Sequence, residues 1–317
     1  MPKIVYLRPM SPKQLERIST VIPAGWEMIH GEKEQWSVHL EDAEILVGWN
    51  ETAAEQCLHP NTKLKWVQNW GAGVDQMPLA KMAALRIILT NASGVHAFPI
   101  SETILAMMLA FSRKLHLSIR HQVQSIWKST GELHEIHGQT MGVIGVGAIG
   151  EETARLGKAF GMEVLGVRRS GEPSPYVDRM FDHSGLDEVL RLSDFVIATL
   201  PLTPETRHLF GRREFALMKP SAHFINIGRG GTANTEALLE ALREGQISGA
   251  GLDVFEQEPL PETSPLWQLD NVIITPHNSG STVYYDDRAM EIFLTNLKAY
   301  LHNGRPSCNL VDFEKHY

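Results

Sequence analysis

Met141-Gly142-Val143-Ile144-Gly145-Val146-Gly147-Ala148-Ile149-Gly150 is the stretch from which the fold is read. Its first residues are an apolar run of strand length. The rest is a G-x-G-x-x-G turn that opens a helical pattern. Each glycine has its own physical role. Gly145 permits the tight turn, Gly147 lets the backbone approach a pyrophosphate, and Gly150 lets the helix pack closely on the sheet. The helix that begins at Ala148 and Ile149 offers free N–H groups and a partial positive charge to phosphates. Glycine patterns of this kind also occur in structural turns and in methyltransferase loops. Here the strand before and the helix after favour a dinucleotide.

Downstream, Ile149, Thr153, Leu156 and Phe160 are spaced four, three and four, which predicts one buried helical face, closed by Gly161 as a C′ glycine. Residues 164–167 read as the next strand. About 20 residues past the turn, at the end of that second strand, an NAD enzyme places an acid on the ribose hydroxyl. This chain has Arg168-Arg169-Ser170 instead. Two guanidinium groups and a hydroxyl suit a 2′-phosphate, through charge-assisted hydrogen bonds. The plainer reading is two solvated arginines on a surface turn. Strands follow at 195–200, 223–227, 249–253 and 272–275, with helices between most of them, among them 235–243 closed by Gly245. This is a doubly wound parallel sheet.

Upstream, residues 1–95 alternate short apolar runs (4–7, 44–47, 65–68, 86–89) with helical stretches, which predicts a second parallel α/β sheet. Phe98-Pro99-Ile100-Ser101-Glu102 starts a helix over roughly 100–126. It is apolar on most faces through Leu115, so burial on several sides is expected.

The length of 317 residues exceeds what one core usually supports, so two domains are expected. The formal charge of −8 argues against a nucleic-acid partner. The N-terminal apolar run, 4–7, is too short for a signal peptide, and 104–111 is too short to span a bilayer. The expectation is a soluble, cytoplasmic protein with no membrane partner. Cys57 and Cys308 have no CxxC spacing and read as ordinary thiols in a reducing compartment. No histidine cluster has metal spacing, so no metal is expected.

Three residues then stand out in their local contexts: Arg229 in 225–230 (INIGRG), Glu258 in 256–261 (EQEPLP) and His277 in 274–280 (ITPHNSG). Reduction of a 2-keto acid needs a fork for the carboxylate, a proton donor at the carbonyl oxygen, and a hydride for the carbon. Arg229 supplies a bidentate fork. His277 can act as acid and base near neutral pH. Glu258 can accept the other ring N–H, set the tautomer and favour the imidazolium. Singly, Glu258 and His277 read equally well as loop and turn residues beside prolines.

Taken in order, the motifs at 71–75 (GAGVD), 138–145, 200–206 (LPLTPET), 226–230, 251–255 (GLDVF), 258–261 and 275–277 resemble the D-isomer-specific 2-hydroxyacid dehydrogenase family over nearly the whole chain. The likeness is greatest to its NADPH-dependent glyoxylate/hydroxypyruvate reductases. The resemblance implies a Rossmann cofactor domain, 98–283, inserted into a flavodoxin-like substrate domain, 1–97 with 284–317, and an active site in the cleft between them. It implies that the backbone N–H groups of Ala72 and Gly73, with Arg229, bind the substrate carboxylate, and that His277 is the acid–base paired with Glu258. Asp253 would face the nicotinamide carboxamide. Ile227, Gly228 and the 278–279 pair, with Ser279, would line the nicotinamide pocket, and Pro201 would touch the adenosine side. NADP(H) would be preferred, with NAD(H) accepted. A homodimer is implied, and Trp127 falls where related reductases carry a tryptophan that reaches the partner's site; an ordinary interface or core aromatic is the other reading. His96 departs from the asparagine often found there, and Phe98 and Pro99 depart from its small-residue helix start. Two other roles share the scaffold: a nucleotide-sensing, corepressor-like interaction protein, and a formate- or phosphite-type dehydrogenase.

Overall fold

The computed structural model describes residues 1–74 and 76–314. Asp75, which closes the 71–75 motif, and Lys315, His316 and Tyr317 at the end of the chain lie outside the described residues. The chain divides into two compact units, Met1–Val95 with Thr282–Tyr317, and His96–Ser281.

In the first unit, β1 (Lys3–Tyr6), β2 (Glu27–Ile29), β3 (Ala43–Val47), β4 (Trp66–Gln68) and β5 (Ile88–Thr90) form a parallel sheet in the order β2-β1-β3-β4-β5. This is the flavodoxin-like winding, with β1 at the point where the order reverses. The central strands β1 and β3 are largely apolar and buried, as strands covered by helices on both faces are. Helix Tyr285–Asn303 closes one face, with Trp66 ring-to-ring against Phe293 (5.7 Å) and Tyr300 (5.3 Å).

In the second unit, β6 (Thr140–Ile144), β7 (Glu163–Val167), β8 (Arg179–Phe181), β9 (Phe195–Ala198), β10 (His223–Asn226), β11 (Gly249–Leu252) and β12 (Val272–Ile274) are all parallel, in the order β12-β11-β10-β9-β6-β7-β8. The order reverses at β6, between β7 and β9, which makes the carboxyl end of β6 the switch point of a Rossmann sheet. Helix Ala97–Ser112 packs on one face through Ile104, Met107, Met108 and Phe111. Phe210, Phe215, Phe224 and Leu238 fill the other.

Several sequence expectations need correction. The single helix over 100–126 is two, Ala97–Ser112 and Leu115–Val123, broken where Lys114 takes a left-handed φ of 49°. The second piece has no buried residue, so the expected burial ends with the first. Helix Ala148–Ala159 stops one residue before Phe160, which is exposed rather than on the buried face; Gly161, at φ 75°, turns the chain away there. Strands β2 and β8 add to the expected set: both are three-residue edge strands without a fully buried residue, so no apolar run marks them. Among the described residues no helix is long and apolar enough to cross a membrane, and no group of three or more His, Cys, Asp or Glu is placed to hold a metal ion.

Candidate active site

The glycine turn leaves β6 at the switch point. Gly145 sits at φ 105°, which a side chain would disfavour, and its N–H donates to the Val167 carbonyl at 2.9 Å. A Cβ on Gly150 would lie 2.6 Å from the Gly145 oxygen, so only glycine lets the helix come this close. A Cβ on Gly147 would meet nothing within 4 Å. The space beside Gly147 is therefore not reserved for the protein's own packing. That suits a phosphate group arriving at the N-terminus of Ala148–Ala159.

Because Gly145 and Val146 both bond the Val167 carbonyl, the residues that follow Val167 stand beside the turn. Arg168 donates to the Pro173 carbonyl at 2.9 Å and has Glu151 and Glu172 at 3.7 and 3.8 Å. Its Nε is buried without a hydrogen-bond partner. A buried donor without an acceptor costs free energy. Arg169 and Ser170 are exposed. The Arg168-Arg169-Ser170 turn thus places donors beside the glycine turn, with two carboxylates close by. Pro201 is exposed, and its carbonyl accepts from Thr206 at 2.7 Å. Ile227 is buried, and a Cβ on Gly228 would lie 2.5 Å from the Leu200 oxygen, which draws those two segments together.

At the carboxyl ends of β10, β11 and β12 the three catalytic candidates are fixed by their loops. His277 Nδ1 pairs with Glu258 Oε2 at 2.7 Å. The other Glu258 oxygen accepts from the Phe255 N–H at 2.8 Å, so the carboxylate cannot swing away without losing a backbone bond. His277 itself has φ 50°, an uncommon conformation for a residue with a side chain. Asp253 explains how it is held. This buried carboxylate accepts from Thr275 Oγ1 (2.6 Å), Asn278 N (3.0 Å) and Ser279 N and Oγ (3.2 and 2.5 Å), while the Asp253 carbonyl accepts from the His277 N–H at 2.9 Å. Asp253 and Ser279, expected beside a nicotinamide, are thus also engaged in shaping the His277 turn. The sequence carries no signal of that role, because it depends on hydrogen bonds between β11 and the 275–279 turn.

Arg229 donates through Nη1 to the Gly228 carbonyl at 2.9 Å, and its own carbonyl accepts from Thr232 Oγ1 at 2.7 Å. Gly230 lies so close to Phe255 that a Cβ would fall 1.9 Å from the Phe255 carbonyl carbon. The arginine loop and the Glu258 loop are therefore in direct backbone contact. His96 joins the same region: its Nδ1 bonds the Gly280 carbonyl at 3.0 Å. Burial first, then the nearby Arg229 and His277, push its pKa down against the pull of that carbonyl. Through that bond His96 clamps the far end of the His277 turn. Ala72 and Gly73 belong to the first unit, in the turn after β4.

The chain is similar in sequence and fold to known proteins. The family model described as "D-isomer specific 2-hydroxyacid dehydrogenase, NAD binding domain" matches residues 105–279, within the second unit. A glyoxylate reductase from Thermococcus gammatolerans is 36% identical over 260 residues, covering 80% of this chain and 77% of its own. A D-3-phosphoglycerate dehydrogenase from Methanocaldococcus jannaschii is 35% identical over 289 residues, 88% of this chain and 54% of its own length. Among solved structures, an NADPH-dependent glyoxylate/hydroxypyruvate reductase from Sinorhizobium meliloti, in complex with NADP and sulfate, superposes with a TM-score of 0.80 at 28% identity, covering 100% of both chains.

Proposed function

The chain belongs to the D-isomer specific 2-hydroxyacid dehydrogenase family, and from that premise we propose that it uses NADPH to reduce a small 2-keto acid, of the glyoxylate or hydroxypyruvate kind, to the D-2-hydroxy acid. The observation that carries the proposal is the His277–Glu258 pair, with both carboxylate oxygens engaged. When His277 is charged, Nδ1–H donates to Glu258 and leaves the Nε2 proton to be given away. That proton goes to the keto oxygen as the carbonyl becomes an alcohol. A bound nicotinamide supplies the hydride for the keto carbon. Arg229, anchored at its backbone by Thr232, holds the substrate carboxylate in its fork. The N–H groups of Ala72 and Gly73 are assigned to the same carboxylate. Glu258 stabilises the imidazolium before transfer and keeps the ring in place after it.

For the cofactor, the open space beside Gly147 and the donors of the Arg168-Arg169-Ser170 turn support a pyrophosphate and a 2′-phosphate respectively. The complex of the Sinorhizobium relative with NADP favours the same choice. NADH would leave the Arg168-Arg169-Ser170 turn unused and serve less well. The D-3-phosphoglycerate dehydrogenase relative makes phosphohydroxypyruvate the competing substrate to test.

A second copy of the chain is the proposed partner, in the cytoplasm. Leu115, Ile119 and Val123, four apart on helix Leu115–Val123, form an exposed apolar stripe that continues to Ile126 and the fully exposed Trp127. A row of this kind is usually covered in the working protein. Sedimentation at micromolar concentration should return a dimer, and a monomer would remove this part of the proposal.

The proposal is tested by His277→Ala. Positioned acid–base catalysis contributes roughly 10²–10⁴-fold, so kcat with glyoxylate and NADPH should fall by that factor. A variant with undiminished kcat would show that His277 does not deliver the proton.

A further inference from the structure

The turn after β4 presents its peptide groups in an unusual way. The Gly71 carbonyl accepts from the Asn69 side-chain amide at 3.1 Å and from the Ala92 N–H at 3.0 Å. The Ala72 carbonyl accepts from the Asn91 side-chain amide at 2.8 Å. The Gly73 carbonyl accepts from Asn69 again, at 2.9 Å. All three carbonyls are therefore taken up, while among the described residues no acceptor is found for the N–H groups of Gly71, Ala72 or Gly73.

Peptide planarity gives this a direction. In a trans peptide the carbonyl of one residue and the N–H of the next point opposite ways. Drawing the Gly71 carbonyl toward Asn69 turns the Ala72 N–H the other way. Drawing the Ala72 carbonyl toward Asn91 does the same for the Gly73 N–H. Successive N–H groups aimed together make an anion-binding concavity, and a hydrogen bond at each carbonyl polarises the N–H of the same amide.

The two asparagines are themselves fixed. Asn91 is buried; its N–H donates to the Asn309 carbonyl at 3.1 Å, its carbonyl accepts from the Asn309 side chain at 3.2 Å, and its Oδ1 accepts from the Ser93 N–H at 3.0 Å. The Asn69 N–H donates to the Thr90 carbonyl at 2.7 Å, and its carbonyl accepts from the buried Gln68 side chain at 3.0 Å. Gln68 is bonded in turn to Thr90 (2.9 Å) and Asn296 (3.3 Å). A polar network bonded this densely, with Gln68, Thr90, Asn91 and Asn296 buried, is rigid.

We propose that Asn69 and Asn91 are positioning residues for the substrate carboxylate: Asn69, through the Gly71 carbonyl, presents the Ala72 N–H to the anion, and Asn91, through the Ala72 carbonyl, presents the Gly73 N–H. This rests on the reading that Ala72 and Gly73 bind a keto acid's carboxylate. It adds the C-terminal segment around Asn296 and Asn309 as the brace of that turn.

Asn69→Ala and Asn91→Ala, made in the full chain, test the inference by steady-state kinetics with glyoxylate and NADPH. Each should raise KM for glyoxylate roughly tenfold, about the value of one hydrogen bond to a charged group. The kcat and the KM for NADPH should stay within about twofold of the unmodified chain, because neither the proton donor nor the cofactor turn is touched. A purely structural role would instead lower the active fraction, reducing kcat at unchanged KM. Asn69 is only half-buried, so Asn69→Ala carries the test if Asn91→Ala does not fold. Unchanged KM for glyoxylate in Asn69→Ala, with normal turnover by the unmodified chain, overturns this inference alone. No turnover by the unmodified chain with any 2-keto acid overturns the proposed function beneath it.

Discussion

His223 stacks on Phe195 and packs against Phe111, with ring centroids 5.3 and 4.6 Å apart, while His277 stands half-exposed on a carboxylate. The same side chain thus serves two ends. Burial, and then the neighbouring His116 and His134, push the pKa of His223 down to about 4. The folded protein keeps this ring neutral where the unfolded chain, near pH 6.5, accepts a proton. A depressed folded pKa of this kind means stability is intact above pH 6.5 and is lost as pH falls toward 4, because the unfolded state then binds more protons. The slope should approach ~1.4 kcal/mol per pH unit in that window. Thermal melts from pH 7 to pH 4.5 should show it, and His223→Phe should flatten it. An unchanged slope in that variant would assign the acid sensitivity elsewhere. At this scale the sequence singles out Arg229, Glu258 and His277 because their residue types match the chemistry. Asp253, Asn69 and Asn91 are not legible as positioning groups, since they act through bonds to other segments of the chain.

Among the elements, the strand, turn and helix at 140–159 make the sharpest test of how glycines are used. A Cβ at position 150 would strike the Gly145 oxygen, but one at 147 would strike nothing. Gly150→Ala should therefore destabilise the chain by about 1–3 kcal/mol, the range for overpacking. Gly147→Ala should melt like the unmodified chain and yet raise KM for NADPH. Loss of stability at 147, or normal cofactor use there, would contradict the reading of that space as a phosphate site. The buried strands are readable because parallel strands covered on both faces are continuously apolar, as 195–198 is. Edge strands β2 and β8 lack that run and are not readable. The break at Lys114 is equally silent because no glycine or proline marks it; a lysine in the left-handed region is visible only in the backbone.

For the whole molecule, what is legible is the repetition of parallel α/β winding on both sides of residue 96, and the family resemblance that runs through it. The chain makes its first sheet, builds the Rossmann sheet, and returns with Thr282–Tyr317 to the first unit. That return is not decoration: Asn296 and Asn309 reach the segments that carry Gln68 and Asn91, so the C-terminal segment and the 71–73 turn share one hydrogen-bond network. The sequence could not show this, because 296 and 68 are joined only by folding. The central claim, that the assembled chain reduces 2-keto acids with NADPH, is tested most directly by following nicotinamide absorbance with glyoxylate, hydroxypyruvate, pyruvate and phosphohydroxypyruvate, each with NADPH and NADH in parallel. Turnover should be fastest with glyoxylate or hydroxypyruvate, with a higher kcat/KM for NADPH than for NADH. No turnover of any of the four acids, or a preference for NADH, would contradict that claim.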